Sequence, residues 1–165
     1  MVLRLRRLGY RAAWWGLRAW WLLRRPHTDG VKVALRDGDS VVFVRHTYGN
    51  RRCWELPGGG LKRGEAPLEA ARREAREELG VDTDAWRAVA AVEITGMGKR
   101  TRLHVFEAAW PGTPLEMQLA ELEEVRWAPI AAPPQPLGPD ARRILALLDQ
   151  PVDYAGRDER PHSPS

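Results

Sequence analysis

Apolar and polar positions along this chain of 165 residues change period several times, and each change marks an element. Val31–Leu35 and Val41–Val44 are short runs rich in β-branched side chains, which favour the pleated backbone of a strand. Between them, Arg36-Asp37-Gly38-Asp39-Ser40 has hairpin-turn chemistry, a glycine among short polar residues. A polar loop follows over 47–53, then a short strand at Trp54-Glu55-Leu56 ahead of Pro57-Gly58-Gly59-Gly60. The next period is helical. Leu68, Ala71, Ala75 and Leu79 are spaced by three, four and four, so they share one face. Pro67 suits the first helical position, where its ring presets φ, and Gly80 suits the left-handed residue that ends a helix. Further strands are expected near Ala85–Ile94, Arg102–Ala109 and Val125–Trp127, and a last helix over Pro139–Leu148 with Ile144, Leu147 and Leu148 inward. Strands and helices mix without regular alternation, which points to an α/β fold with helices packed on a mixed sheet.

The two ends read differently from this body. Residues 1–25 hold seven arginines and no acid. Leu17, Trp20, Trp21 and Leu23, with Trp14 beside them, fall on one helical face, and Arg7, Arg11 and Arg18 on the other; Pro26 stops this basic amphipathic helix. Arg18 interrupts the apolar stretch, and Arg24-Arg25-Pro26 stands where a secretory cleavage site would be. The segment is also too short and too charged to span a bilayer. Its Trp face is expected to pack on the domain or on a second copy, as a homodimer. The alternative is peripheral contact with an anionic membrane surface. Residues 26–150 are read as the folded domain, and 151–165, polar and ending in Pro161-His162-Ser163-Pro164-Ser165, as a disordered tail.

Charge and cysteine content narrow the function classes. The whole chain carries +4, so without its seven N-terminal arginines the rest carries −3. Such a body is not a uniformly basic nucleic-acid-binding domain, and no stable nucleic-acid complex is expected. Cys53 is the single cysteine, which excludes an internal disulfide and a Cys-rich zinc site. A cytoplasmic protein is expected, free or held at a membrane surface.

The chemistry concentrates on the helix at 67–79. Glu74 and Glu78 are four apart and stand a turn apart on one face, while Glu77 lies about 100° round the axis from Glu78. Arg73, four before Glu77, can brace it. Three carboxylates thus crowd the end of a helix where the macrodipole is already negative. Alternation with Arg72, Arg73 and Arg76 allows a solvated, salt-bridged face. The other reading is a divalent cation among the carboxylates, for which hard oxygen ligands favour Mg²⁺ or Mn²⁺. The glycine run just upstream lets backbone approach a metal or a phosphate closely.

Taken together, Gly59-x5-Glu65-x7-Arg73-Glu74-Ala75-Arg76-Glu77-Glu78-Leu79-Gly80-Val81 resembles the Nudix box of the Nudix hydrolases over its 23 residues. Trp54-Glu55-Leu56-Pro57-Gly58-Gly59 is similar to the segment that usually precedes that box. Ala75 stands where a larger aliphatic is common. The resemblance implies an α/β/α sandwich with a mixed sheet over the body, preceded here by the Trp/Arg-rich helix. It implies a Mg²⁺-dependent (or Mn²⁺-dependent) hydrolase that cuts the phosphoanhydride bond of a nucleoside diphosphate linked to another group. It makes Glu77 and Glu78 metal ligands, Glu74 a ligand or general base, and Arg73 the residue that orients them. Glu65 would support this network or a second metal, and the Gly58 carbonyl would join the metal shell. In some relatives the base lies on a later loop, and Glu121 is the choice here among Glu116, Glu121, Glu123 and Glu124.

The substrate is expected to be a small nucleotide, either a nucleoside triphosphate or an ADP-ribose-like sugar nucleotide. Arg45, Arg51 and Arg102 are expected to bind it, and His46 reads as a half-buried strand histidine. A catalytically silent Nudix-fold module that only binds nucleotide is the competing reading.

Overall fold

A computed structural model of the chain describes Arg6 and residues 8–10, 12–17, 27–96 and 99–148. Five strands form a mixed sheet among these residues: β1 (His27–Asp37), β2 (Ser40–His46), β3 (Trp86–Gly96), β4 (Lys99–Ala109) and β5 (Leu122–Pro129). Their spatial order is β3-β4-β1-β2-β5. β1 and β4 run parallel in the middle, and the other neighbours are antiparallel. Two helices cover the faces, α1 (Pro67–Leu79) and α2 (Pro139–Leu148). The α/β/α sandwich is as expected.

Burial on both faces explains the continuous apolar runs. Val42 and Val44 of β2 face α1 together with Val31, Val33 and Leu35, while Val41 and Phe43 face α2. Alternate side chains of a strand point to opposite layers, so a strand covered on both faces needs apolar residues at every position. α1 sets Ala70, Ala71, Ala75 and Leu79 into the core, and the small alanines let its backbone sit close to the sheet. Leu68, expected on this stripe, is half-buried instead. α2 buries Ala141, Ile144, Leu145 and Leu148, so Leu145 takes the inward place expected for Leu147. Those four positions are spaced by three, one and three, a tighter face than one running through Leu147.

The hairpin pairs only at its turn. β1 and β2 meet at Arg36↔Val41 and Asp37↔Ser40 and then diverge. Residues 55–60 fill the gap. Glu55 exchanges backbone hydrogen bonds with Val44 (2.8 and 2.9 Å). On the other side, Pro57 and Gly59 accept from the Val33 and Val31 amides (2.9 and 2.8 Å). The expected strand at Trp54–Leu56 is therefore only two isolated bridges, Val44↔Glu55 and Trp54↔Leu137. Pro57 has no N–H and cannot extend a ladder. The insertion carries the glycine run into the sheet, directly over β1.

Arg6, 8–10 and 12–17 are helical, and this segment packs on the domain: Tyr10 stacks on Tyr48 with ring centroids 6.1 Å apart. Leu17, expected on the packed face, is 46% exposed. Trp20, Trp21 and Leu23, on which the dimer and membrane readings rested, lie outside the described residues, as does the tail at 151–165. Among the described residues no helix is long and apolar enough to cross a membrane.

Candidate active site

Two glycines make room for the acidic helix. Gly58 has φ 140°, and a β-carbon there would collide with the Val31 carbonyl. A β-carbon on Gly59 would collide with the Glu74 carboxylate. At Gly58 only a bare backbone fits against β1, whereas a side chain at Gly59 would displace the end of Glu74. The Gly58 amide then donates to Glu78 Oε2 at 3.0 Å. α1 ends on Gly80, left-handed at φ 67°, whose amide reaches back to the last turn.

Arg73 organises the carboxylates. Its Nε and one terminal nitrogen fork onto Glu65 at 2.8 and 3.0 Å. The other terminal nitrogen donates to Glu74 Oε1 at 2.6 Å and to Glu77 Oε2 at 3.2 Å. A further bond reaches the Gly60 carbonyl at 3.0 Å. A planar guanidinium with five donors serves all four acceptors at once, which an ammonium cannot do. The fork holds the Glu65 carboxyl down at about 2, helped by the Lys62 amide. Charge-assisted bonds of this kind favour the ionised form.

Glu78 and Glu74 are in the opposite condition. Glu78 is 2% exposed. Burial pushes its carboxyl up to about 8, with Glu74 and Glu121 adding to the rise and Lys32 and the Gly58 amide opposing it. Burial also raises Glu74, against the pull of Arg73, and Glu77 and Glu121 raise it further. The site therefore concentrates negative charge where water is scarce. Glu77 is 50% exposed and turned toward Arg73 and Lys62, the latter at 3.7 Å. As placed, no three acidic, histidine or cysteine side chains among the described residues close around one point. The donor set still suits a hard divalent cation: it is all oxygen, and the bare Gly59 lets the Glu74 carboxylate lie close against the backbone.

Tertiary contacts bring in residues the helix pattern could not show. The loop after β2 is pinned by Thr47, whose amide donates to the Glu121 carbonyl (2.8 Å) and whose hydroxyl donates to the Ala120 carbonyl (2.9 Å). This places Tyr48 among Glu121, Glu78 and Glu74; burial first, then those charges, keep its phenol protonated. His46 behind it is half-buried, as expected, and desolvation with nearby Lys32 lowers it to about 3, so the imidazole is neutral. Lys32 donates to the Leu56 carbonyl at 2.7 Å and is the cation that Glu78 feels. Its signal in the sequence was a lone charge inside Val31–Leu35.

Not every expected residue joins this cluster. Arg45 pairs with Glu124 at 3.0 Å and lies over the Trp54 ring at 5.5 Å. Arg51 meets Glu123 at 3.5 Å. Both line a separate cleft with Arg52 and Gln135. Arg45 has the parity of Val41 and Phe43, so it points to the α2 face, away from α1. Arg102 is exposed on β4, across from Asp29 of β1.

The sequence profile of the NUDIX domain matches residues 26–148. The chain belongs to the Nudix family. An RNA pyrophosphohydrolase of Roseobacter denitrificans is 28% identical over 149 residues, covering 78% of this chain and 93% of that protein. An ADP-ribose pyrophosphatase of Mycobacterium tuberculosis is 46% identical over 61 residues, 34% of this chain and 29% of that one. Among solved structures, a MutT NUDIX hydrolase from Burkholderia pseudomallei superposes with a TM-score of 0.69 at 22% identity, covering 74% of this chain and 98% of that one. The protein is a Nudix hydrolase acting on nucleoside diphosphate derivatives, and the silent-module reading gives way. Nudix hydrolases generally need a divalent cation.

Proposed function

We propose that this Nudix protein is a Mg²⁺-dependent pyrophosphohydrolase, Mn²⁺ being the other ion its oxygen donors suit, and that Glu74, Glu77, Glu78 and the Gly58 carbonyl hold the ion. One observation carries the reading: Arg73 clamps Glu65, Glu74 and Glu77 together while the Glu74 carboxylate fills the space that Gly59 leaves open. A buried carboxylate such as Glu78 gains most from a doubly charged neighbour. Glu77 completes the set by turning from Lys62.

When bound, the ion neutralises diphosphate oxygens and lowers the pKa of water. The chain's own residues do the rest. Glu65 anchors Arg73, and Arg73 keeps Glu74 aimed. Glu121 accepts the proton of the attacking water while its oxygen bonds to phosphorus. The bridging P–O bond breaks and its electron pair leaves with the departing phosphate. Glu121 suits this role better than Glu74, because the Arg73 bond at 2.6 Å already engages the Glu74 carboxylate.

The substrate we propose is a nucleoside triphosphate or a sugar nucleotide of the ADP-ribose kind, with Arg102 toward its outer phosphate. An RNA 5′-triphosphate end is the second reading. It is favoured by the Roseobacter denitrificans relative, aligned over 93% of its length, and by the arginine cleft at Arg45, Arg51 and Arg52, whose side chains suit the phosphates of an extended polynucleotide. A panel of ATP, GTP, ADP-ribose and a 5′-triphosphorylated RNA oligonucleotide with Mg²⁺ tests both, reading phosphate, pyrophosphate and monophosphate. Release from none of them by the folded protein would sink the proposal.

A further inference from the structure

The helical residues Arg6, 8–10 and 12–17 lie ahead of the Nudix match at 26–148, yet they touch the active-site loops at three points. Tyr10 stacks on Tyr48, centroids 6.1 Å apart and planes within 13°. Tyr48 in turn leans on His46 at 5.1 Å, so three rings form a tier from the surface down to β2. Tyr10 shares a cleft wall with Gln118, and its hydroxyl faces the Glu121 side chain. One helical turn on, the Trp14 indole lies over Gly49, 3.5 Å from where a β-carbon would stand. Residues four apart share a helix face, so Tyr10 and Trp14 act as one contact surface. The contact is not flush. A cleft of about 570 Å³ remains between the segment, with Arg6 and Tyr10 in its wall, and the loop at 117–120.

Glu121 otherwise has weak support. Its side chain accepts from Gln118 Nε2 at 3.4 Å, and its backbone carbonyl is held by Thr47. Its flanking residues give it no fork like the one that holds Glu65 and Glu74. A carboxylate on a loop, among other carboxylates, swings outward unless a donor on the outer side holds it. Tyr10 stands on that side.

We propose that the N-terminal segment completes this active site, with Tyr10 as a positioning residue that fixes Glu121 from outside the Nudix fold and closes the mouth of the site against Tyr48. The inference rests on Glu121 accepting the proton in the proposed reaction. It makes residues 6–17 part of the hydrolase and gives its substrate pocket a wall that the Nudix domain alone lacks.

A double-mutant cycle in the full chain tests it, using whichever substrate of the panel turns over and Mg²⁺. Tyr10→Phe keeps the ring stack and removes the hydroxyl. We expect kcat to fall about tenfold, the scale of one lost hydrogen bond to a charged group, with KM within about twofold. Tyr10→Ala loses the ring as well, and KM should rise too. In a Glu121→Ala background, Tyr10→Phe should cost nothing further in kcat. A merely structural tyrosine would lower the melting temperature and act equally in both backgrounds. Additive losses, or a Tyr10→Phe enzyme with unchanged kcat, would overturn the inference alone. A wild-type protein inert toward the whole panel would overturn the proposed function with it.

Discussion

Glu78→Gln separates the charge of the buried carboxylate from its shape. Glutamine keeps the volume and still accepts from the Gly58 amide, but it cannot ionise. In the cation-free protein, burial raises the Glu78 pKa from the usual 4.5 to about 8. The folded state therefore binds this proton more tightly than the unfolded chain does. The stability so gained is complete below pH 4.5 and is lost as the pH climbs toward 8. At about 1.4 kcal/mol per pH unit, the loss between pH 5 and pH 7.5 is on the order of 3 kcal/mol. For a chain of this size that corresponds to roughly 6–12 °C in Tm. Differential scanning fluorimetry in EDTA across this range should show Glu78→Gln melting increasingly above wild type as the pH rises. Mg²⁺ should then raise the wild-type Tm at pH 7.5, where the ion offsets the buried charge, and raise that of the variant much less. Mg²⁺-dependent turnover should fall at least about a hundredfold, since a ligand of the cation is lost. A Tm gap that does not change with pH would refute the burial argument. Turnover within about tenfold of wild type would refute the metal scheme.

Three further outcomes follow from the same geometry. Arg73→Lys cannot serve Glu65, Glu74, Glu77 and the Gly60 carbonyl together, so kcat at saturating Mg²⁺ should fall roughly 10- to 100-fold; a change under about twofold would remove Arg73 from the orienting role. Gly59→Ala pushes on the mobile end of Glu74 and leaves the backbone alone, so calorimetry should show Mg²⁺ binding weakened about tenfold with Tm in EDTA within about 3 °C of wild type. Unweakened Mg²⁺ binding would show that the space over Gly59 is not part of the ion site. Phe43→Ala removes a fully buried ring from the α2 layer and should cost about 3–5 kcal/mol in urea unfolding, with KM of the remaining folded enzyme unchanged. A loss below about 1 kcal/mol would mean that this layer of the core is looser than its burial indicates.

What could be read from the chain was what repeats or is spaced locally. The span of α1 was legible because Pro67, four apolar positions and Gly80 lie within one stretch. The acidic network was legible for the same reason: Glu65, Arg73, Glu74 and Glu77 meet through a single helix and the loop that enters it. Even the opposite placement of Arg45 was present in its parity with Val41 and Phe43, although the expectation that Arg45 and Arg51 bind substrate passed over it.

The tertiary structure decided everything that depends on distant segments meeting. Val31, Val33 and Val44 show no sign in their own sequence that β1 and β2 part beyond Arg36↔Val41 and admit residues 55–60; that follows from Pro57 ending the ladder and from competition for backbone partners across the whole sheet. Lys32, Tyr48 and Glu121 come together with Glu78 only because Thr47 ties the loop after β2 to the segment before β5, more than seventy residues away. Periodicity reports which face of an element is apolar. It carries no information about which polar side chains of other elements arrive there, because burial energy fixes the layers of a fold and specific hydrogen bonds choose the neighbours within them.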